Sequence, residues 1–142
     1  MNSVDVGCAV IYRNQELIIA QRKPGDSYGG YWEFPGGKKN PDETIEACLI
    51  REAQEELGIL IRPVLFLSNK VHSYPTKKIN LFFYLCEYVS GTPACHDCHD
   101  FRWVELKDLQ RFRFLPADIE LIGELSRSPD IFNRISQRKA AL

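Results

Sequence analysis

The sequence lacks long apolar runs and lacks an excess of charge of either sign. None of its 142 residues belongs to an apolar run approaching the roughly 18 that a membrane-spanning helix needs. The 18 basic and 19 acidic residues leave a formal net charge of −1, so no overall field would hold a polyanion. A phosphate-bearing ligand would therefore need local cations or a bound metal ion. Residues 1–5 lack a basic segment and an apolar core, so we expect no signal peptide.

Repeats, low-complexity segments and long linkers are also missing. We therefore expect one domain over residues 1–142, large enough to bury a core, with residues 128–142 as a tail or a short helix. Cysteine is sparse and odd in number: the five are Cys8, Cys48, Cys86, Cys95 and Cys98. They are scattered along the chain, which favours reduced thiols in the cytoplasm over a disulfide framework.

Short apolar segments separated by turn residues predict strands before and after one strongly patterned helix. The expected strands are residues 6–12 and 17–20 as a hairpin, 31–34, 61–67 or on to 72, 79–88 and 101–104. Residues 79–88 are strongly apolar and predict a central strand. Residues 106–109 suit one helical turn, and apolar residues at helical spacing predict a second helix over 116–127. This order predicts a mixed sheet with helices packed on it.

The most informative stretch is residues 36–59, which predicts a glycine loop followed by one helix. Thr44 suits the N-cap and Gly58 suits the position just after the last turn. An earlier start, capped by Asn40 with Pro41 at the first helical position, fits the residues as well.

Three glutamates share one face of this helix. Glu52, Glu55 and Glu56 stand at i, i+3 and i+4. Another face, expected to be buried against a sheet, carries the apolar side chains of Leu49, Ile50, Ala53 and Leu57. Gathered carboxylates repel one another, and a hard divalent cation with oxygen ligands, Mg²⁺ or Mn²⁺, would turn that repulsion into binding. On spacing alone, a solvated surface face is the competing interpretation.

The complete string resembles the Nudix box. The matching residues are Gly37, Glu43, Arg51, Glu52, Ala53, Glu55, Glu56, Leu57, Gly58 and Ile59, with Ala53 small for its apolar position. The resemblance implies an α/β/α sandwich with a mixed curved β-sheet, and hydrolysis of a nucleoside diphosphate linked to another group. It also implies a metal site formed by Glu52, Glu55, Glu56 and the carbonyl of Gly37.

The same resemblance offers Glu52 as the general base, although a metal-bound hydroxide is an alternative nucleophile. Arg51 would orient a glutamate through a bidentate pair, and Glu43 would brace the loop. Either residue could instead be an ordinary surface or capping group.

Beyond the box, the chain resembles the MutT-like branch of the family, including CTP pyrophosphohydrolase-like proteins. The resemblance rests on residues 20–22, 32–38 and 114–118, and it implies substrate contacts from Arg22, Phe34, Lys38 and Asp118. The MutT pattern has Asn where this chain has Asp118. A carboxylate only accepts hydrogen bonds, so Asp118 is expected to favour bases that present N–H groups. Phe34 in the core, Asp118 at a helix start and Arg22 at the surface remain the plainer alternatives.

The segment at residues 95–100 has three competing interpretations. Related enzymes place a further metal-binding acid here, for which Asp97 is preferred over Asp100. Cys95 and Cys98 with a histidine could instead bind zinc, although such a site normally needs four ligands. A plain polar loop is the third interpretation.

These observations lead to one functional hypothesis with two rivals. We expect a Mg²⁺-dependent nucleoside triphosphate pyrophosphohydrolase, with Mn²⁺ as a substitute, that removes oxidised or surplus nucleotides such as 8-oxo-dGTP or CTP. The partner would be a small nucleotide, with neither membrane nor nucleic acid, and the chain would be a monomer or a homodimer. The rivals are an RNA 5′ pyrophosphohydrolase, which the absence of basic excess disfavours, and a nucleotide sensor, which the complete acid set disfavours.

Overall fold

A mixed β-sheet with helices against it forms the part of the chain that the computed structural model describes, residues 2–128, 130 and 131. The strands are β1 (Asn2–Arg13), β2 (Glu16–Gln21), β3 (Trp32–Glu33), β4 (Gly36–Lys38), β5 (Leu60–Ser73), β6 (Lys77–Ser90) and β7 (Asp100–Glu105). The helices are α1 (Ile45–Leu57), a 3₁₀ helix (Leu106–Arg111) and α2 (Pro116–Ser126). Most of the predicted tail over residues 128–142 lies outside the described residues.

The strand order is β3-β2-β1-β6-β5, with β4 paired to β1 and β7 paired to β2. β1 and β6 run parallel, and the remaining pairs are antiparallel. The predicted hairpin, the mixed sheet and the interior position of residues 79–88 are therefore confirmed. Among the described residues, no helix is long and apolar enough to cross a membrane.

Alternation along β1 separates two apolar layers. Cys8 and Val10 pack in the cluster that contains Leu121 and other residues of α2. The intervening residues of β1, together with Leu57 of α1, belong to the cluster on the opposite face. Since successive strand side chains point to opposite faces, α1 and α2 cover the two sides of the sheet. This arrangement is the expected α/β/α sandwich.

The ends of α1 agree with the first of the two predicted starts. The N–H of Ala47 donates to Thr44 Oγ1 at 3.1 Å, and Gly58 ends the helix in the left-handed conformation with φ 68°. The start at Asn40 is wrong, because α1 begins at Ile45. The predicted burial of Ile50 is also wrong: it is 37% exposed, since the buried stripe runs through Cys48 instead.

The glycine segment before α1 is a strand rather than the predicted loop. Gly36 and Gly37 pair antiparallel with Cys8 and Gly7 of β1. A Cβ on Gly36 would lie 1.9 Å from the carbonyl oxygen of Gly7, so only glycine allows this approach. This close strand pairing places Gly37 against Glu52 of α1.

The expectation that all cysteines are reduced is wrong for one pair. Cys95 and Cys98 form a disulfide, whereas Cys8, Cys48 and Cys86 are free and buried. The two bonded sulfurs are no longer available as thiolates, which also excludes the zinc interpretation of this segment.

Candidate active site

A cavity of about 660 Å³ opens beside β4, on the face of the sheet that carries α2. Its wall combines the loop after β2, the β3–β4 segment, the turn between β5 and β6, and the start of α2. The four predicted substrate-binding residues all line it: Arg22, Phe34, Lys38 and Asp118. The structure therefore brings these residues together although they are far apart in the sequence.

Arg51 gathers three carboxylates beside this cavity. Its Nη1 donates to Glu52 Oε1 at 2.8 Å and to Glu55 Oε2 at 3.1 Å, and its Nη2 donates to Glu43 Oε1 at 2.6 Å. A further bond runs from Nη2 to the carbonyl of Lys38 at 3.1 Å. Arg51 thereby ties the acidic turn of α1 to the end of β4, as a planar guanidinium with five donors allows.

Glu43 stabilises the segment between β4 and α1. Besides Arg51, its carboxylate accepts from the N–H of Asn40 at 2.8 Å. The hydrogen bond from Arg51, followed by the one from Asn40, lowers the pKa of Glu43 to about 2. The ion pairs with Glu43 and Glu52 raise the pKa of Arg51 in turn.

Glu56 lies half-buried on the same helix, close to two other acids. Burial, followed by the charges of Glu33 and Glu52, raises its pKa to about 9, although the N–H of Gly36 donates to it. Burial also raises the pKa of Glu52 above its ordinary value. These glutamates therefore occupy a region in which a positive charge would be strongly stabilised.

Glu33 is a site residue that the sequence interpretation missed. It lines the cavity, and Arg22 Nη1 lies 3.2 Å from its Oε1. Burial raises the pKa of Glu33, with Arg22 opposing the shift. The sequence did offer a signal for Glu33, because it lies between Trp32 and Phe34 in an aromatic strand. A carboxylate that is buried in such a strand needs a partner.

Asp118 lines the cavity and is only 3% exposed. Burial, followed by the charge of Glu33, raises its pKa to about 8, and the N–H of Phe34 donates to it. At neutral pH the carboxyl group therefore retains its proton. A protonated carboxyl donates as well as accepts, so the expectation that Asp118 only accepts hydrogen bonds applies to the deprotonated group and stays a prediction.

Phe34 and Lys38 occupy contrasting positions on the cavity wall. Phe34 is 3% exposed and packs against Phe83 and Phe114, so its ring belongs to the core and also borders the cavity. Lys38 is exposed at the end of β4.

Arg22 is half-buried, and its Nε donates to the carbonyl of Ser27 at 2.7 Å. Arg22 thus links the loop after β2 to Glu33.

Asp97 is paired with Lys23 rather than with any residue of α1. Lys23 Nζ binds its Oδ1 at 2.7 Å, and the Asp97 side chain is 69% exposed. Its charge still contributes to the raised pKa of Glu56, and the N–H of the preceding residue, His96, donates to the carbonyl of Glu56 at 2.8 Å. The carboxylate of Asp100, the alternative acid, instead accepts a hydrogen bond from the N–H of Phe101 at 2.8 Å.

The acids of α1 suit a hard divalent cation. In the described part of the chain, no three His, Cys, Asp or Glu side chains are already arranged to hold a metal ion. Mg²⁺ does not require such a cage, because it usually binds one or two carboxylates together with water and substrate phosphates. Glu52, which lies against Gly37, and Glu56 are carboxyl groups of raised pKa that provide donors of that kind. The carbonyl of Gly37 accepts from Cys48 Sγ at 3.4 Å.

The chain matches known proteins over most of its length. The NUDIX domain family matches residues 7–124. The 8-oxo-dGTP diphosphatase of Haemophilus influenzae is 37% identical over 119 residues, which cover 82% of this chain and 88% of that protein. The CTP pyrophosphohydrolase of Escherichia coli is 30% identical over 122 residues, covering 86% of this chain and 90% of that protein.

Solved structures agree with this relationship. The solution structure of the E. coli ORF135 protein superposes with a TM-score of 0.79 at 28% identity, covering 90% of this chain and 91% of that one. A MutT protein from Methanosarcina mazei Go1 also gives a TM-score of 0.79, at 24% identity, over 89% of this chain and 95% of that one.

The fold and the acid-lined site define a hydrolase that acts on phosphoric anhydrides. The chain belongs to the NUDIX domain family, in its MutT-like branch. Family members of this kind generally depend on divalent metal ions.

Proposed function

We propose that this chain is a Mg²⁺-dependent nucleoside triphosphate pyrophosphohydrolase that converts (d)NTP and water to (d)NMP and pyrophosphate. One observation carries the proposal: the acidic turn of α1 meets a nucleotide-sized cavity at Gly37. Gly37 lines the cavity, and a Cβ there would lie 2.4 Å from the carboxyl carbon of Glu52. A base held in the cavity would therefore direct its phosphates towards the acids.

The similar proteins support this class of substrate. The H. influenzae and E. coli relatives are named as an 8-oxo-dGTP diphosphatase and a CTP pyrophosphohydrolase. We infer a nucleotide of the same chemistry for this chain, and the removal of oxidised or surplus nucleotides as its purpose. One domain over residues 1–142, a cytoplasmic location, a monomeric or homodimeric state and the absence of nucleic-acid partners stay predictions.

We assign the metal-holding role to Glu52, Glu55, Glu56 and the carbonyl of Gly37. When bound, Mg²⁺ or Mn²⁺ would neutralise the polyphosphate and lower the pKa of a coordinated water. Arg51 would hold Glu52 and Glu55 in place, because it bonds to both. Asp97 would join the set only after leaving Lys23.

Glu52 is our candidate for the general base. Its raised pKa brings the carboxylate nearer to neutral pH, where a base is most effective. Glu52 would take a proton from water as the water oxygen bonds to a phosphorus of the substrate chain. The P–O bond to the leaving group then breaks, and pyrophosphate departs. Proton transfer of this kind is typically worth about 10²–10⁴-fold in rate.

Recognition of the base is assigned to the inner wall of the cavity. Protonated Asp118 both donates and accepts, so at neutral pH it matches a base edge that presents one acceptor and one N–H. Guanine and 8-oxoguanine present such edges, as does cytosine through its amine and ring nitrogen. Phe34 would supply an apolar ring next to the base, while Arg22 and Lys38 would supply the positive charge near the phosphates.

A substrate panel tests this proposal. The protein is incubated with Mg²⁺ and separately with CTP, dCTP, dGTP, 8-oxo-dGTP, ADP-ribose or triphosphorylated RNA, and the phosphate products are identified. We expect pyrophosphate and a nucleoside monophosphate from at least one free triphosphate. Pyrophosphate from RNA alone would replace the proposal with RNA 5′-end processing, and no turnover of any compound would replace it with nucleotide sensing.

A further inference from the structure

The loop at residues 94–99 is attached at both ends by backbone hydrogen bonds. The N–H of Ala94 donates to the carbonyl of Leu57 at 3.1 Å, and that of His96 donates to the carbonyl of Glu56 at 2.8 Å. At the other end, the N–H of His99 donates to the carbonyl of Gln21 at 2.8 Å. The loop therefore stays joined to α1 and β2 without help from sulfur.

The disulfide adds a second constraint in the middle of this loop. Bonding between Cys95 and Cys98 closes a ring that contains only His96 and Asp97 as further residues. The His96 ring lies against Gly58, where a Cβ would approach its Cε1 to 2.7 Å. Because the disulfide ring is closed and the N–H of His96 is bonded to Glu56, the backbone of Asp97 has little freedom to move.

The constrained loop keeps the carboxylate of Asp97 in its ion pair with Lys23. Their 2.7 Å ion pair is exposed, with 47% and 69% of the two side chains accessible. Exposed pairs of this kind are weak, typically worth about 0–1 kcal/mol. The backbone nevertheless brings this segment to Glu56, because the N–H of His96, the residue before Asp97, donates to the carbonyl of Glu56 at 2.8 Å. A short movement of Asp97 would thus exchange a weak partner for the acidic cluster and any cation bound there.

We propose that Cys95–Cys98 is a redox-active disulfide whose reduction frees Asp97 to join Glu56 as a ligand of the divalent cation. The inference rests on the function proposed above. The reductant is a dithiol: one of its thiolates attacks one sulfur of the disulfide and releases the partner cysteine as a thiolate. The second thiol of the reductant then displaces the attacked cysteine from the mixed disulfide. The S–S bond takes up two electrons and two protons, giving two cysteine thiols and the oxidised reductant.

Thiol–disulfide exchange of this kind does not involve the other three cysteines. Cys95 and Cys98 are half-buried, whereas Cys8, Cys48 and Cys86 are buried. Thiol–disulfide exchange requires access of the attacking thiolate to sulfur, which favours the loop pair. Because the backbone bonds of the loop do not depend on the disulfide, reduction leaves the fold in place.

Cation affinity in the two redox states tests the proposal. The full-length protein is prepared oxidised, or reduced with dithiothreitol that is then removed anaerobically so that it cannot chelate metal. Thiol titration after denaturation should give three thiols and five, respectively. Mn²⁺ binding, followed by electron paramagnetic resonance, should be roughly tenfold tighter in the reduced protein, the lower end of the roughly 10–100-fold by which groups around a metal site change its affinity.

Variants locate the effect at Asp97. Cys95→Ser with Cys98→Ser should bind Mn²⁺ tightly under both treatments. Lys23→Met should still bind weakly when oxidised, because the closed disulfide ring continues to hold Asp97. Asp97→Asn should bind weakly in both states. Asp100→Asn is the matched control, since it removes another acid from the same segment, and it should retain the redox response.

Several results would overturn the proposal. Equal Mn²⁺ affinity in the two states, tighter binding when oxidised, or five thiols in air-exposed protein would each do so. If hydrolysis of nucleoside triphosphates persists alongside such a result, only the redox inference fails. If neither state binds Mn²⁺ or hydrolyses a nucleotide, the proposed function fails with it. Should the double serine variant not fold, the comparison within the wild-type protein still decides.

Discussion

The carboxylate of Glu52 occupies the space in which residue 37 would carry a side chain. An ideal Cβ on Gly37 would lie 2.4 Å from the carboxyl carbon of Glu52 and 2.5 Å from its Oε1. Glycine at this position therefore lets α1 present Glu52 directly to β4 and to the cavity. The glycine of the motif is explained by this contact, since Gly37 itself has no left-handed backbone.

Gly37→Ala should lower turnover by roughly 10²-fold, the cost of misplacing a catalytic group by about 1 Å. The clash falls on the end of a flexible side chain, so we expect Glu52 to move and the fold to persist. Steady-state kinetics and thermal unfolding measure the two effects separately. Gly25→Ala is the matched control, because a Cβ there meets nothing within 4 Å.

Gly36→Ala should behave differently from Gly37→Ala. Its Cβ would lie 1.9 Å from the backbone oxygen of Gly7, where no side chain can yield. We expect a large loss of thermal stability, measured by circular dichroism, as β4 separates from β1. A variant as stable as the wild type would contradict the close strand pairing.

The ion pair of Glu43 and Arg51 should make stability depend on acid. The pKa of Glu43 falls from its ordinary 4.5 to about 2 on folding, so the unfolded chain binds the proton more readily. The stabilisation is complete above pH 4.5 and is lost as the pH falls towards 2. Urea unfolding should therefore show Glu43→Gln destabilised at pH 7, with the difference from wild type shrinking as acid is added.

A double-mutant cycle assigns that effect to its partner. In an Arg51→Gln background, Glu43→Gln should change stability little, because the interaction is already removed. Equal effects of Glu43→Gln in both backgrounds would assign the stabilisation to Asn40 instead, whose N–H also bonds to this carboxylate.

Asp118 should impose a pH dependence on base recognition. Its pKa rises from an ordinary 3.8 to about 8 on folding, so the folded state binds the proton more tightly and Asp118 lowers stability as the pH climbs through this interval. At pH 7, Asp118→Asn should keep the wild-type substrate preference, because an amide also donates and accepts. Near pH 9, KM should rise for the wild type alone. If the KM of Asp118→Asn differed from that of the wild type by the same factor at pH 7 and pH 9, the result would contradict a protonated Asp118 at pH 7.

Much of the site was predictable because one motif lies on one helix. The spacing of Glu52, Glu55 and Glu56 places them on one face through local geometry alone, and Thr44 and Gly58 mark the helix ends by their own conformations. Alternation along β1 similarly predicts which residues face α1 and which face α2. These features depend on residues close in sequence.

The features that were missed depend on residues far apart in sequence. Glu33 is paired by Arg22 and raises the pKa of Asp118, yet no local pattern places the three together. The disulfide of Cys95 and Cys98 depends on a loop shape set by α1 and β2, which the spacing of two cysteines does not specify. Ile50 is exposed because the sheet packs against the neighbouring stripe of the helix, which contains Cys48. Tertiary packing decides which stripe is buried.

The central claim is that the acids of α1 share divalent cations with a polyphosphate, and Mg²⁺-dependent pyrophosphate release by Glu55→Gln tests it most directly. Glu46→Gln is the matched control, since Glu46 is an exposed acid of the same helix bonded only by Tyr84 among the contacts described. The account predicts wild-type turnover for Glu46→Gln, a loss of about 10²-fold or more for Glu55→Gln, and none for any variant after chelation. Unchanged turnover in Glu55→Gln, or hydrolysis that survives chelation, would contradict it.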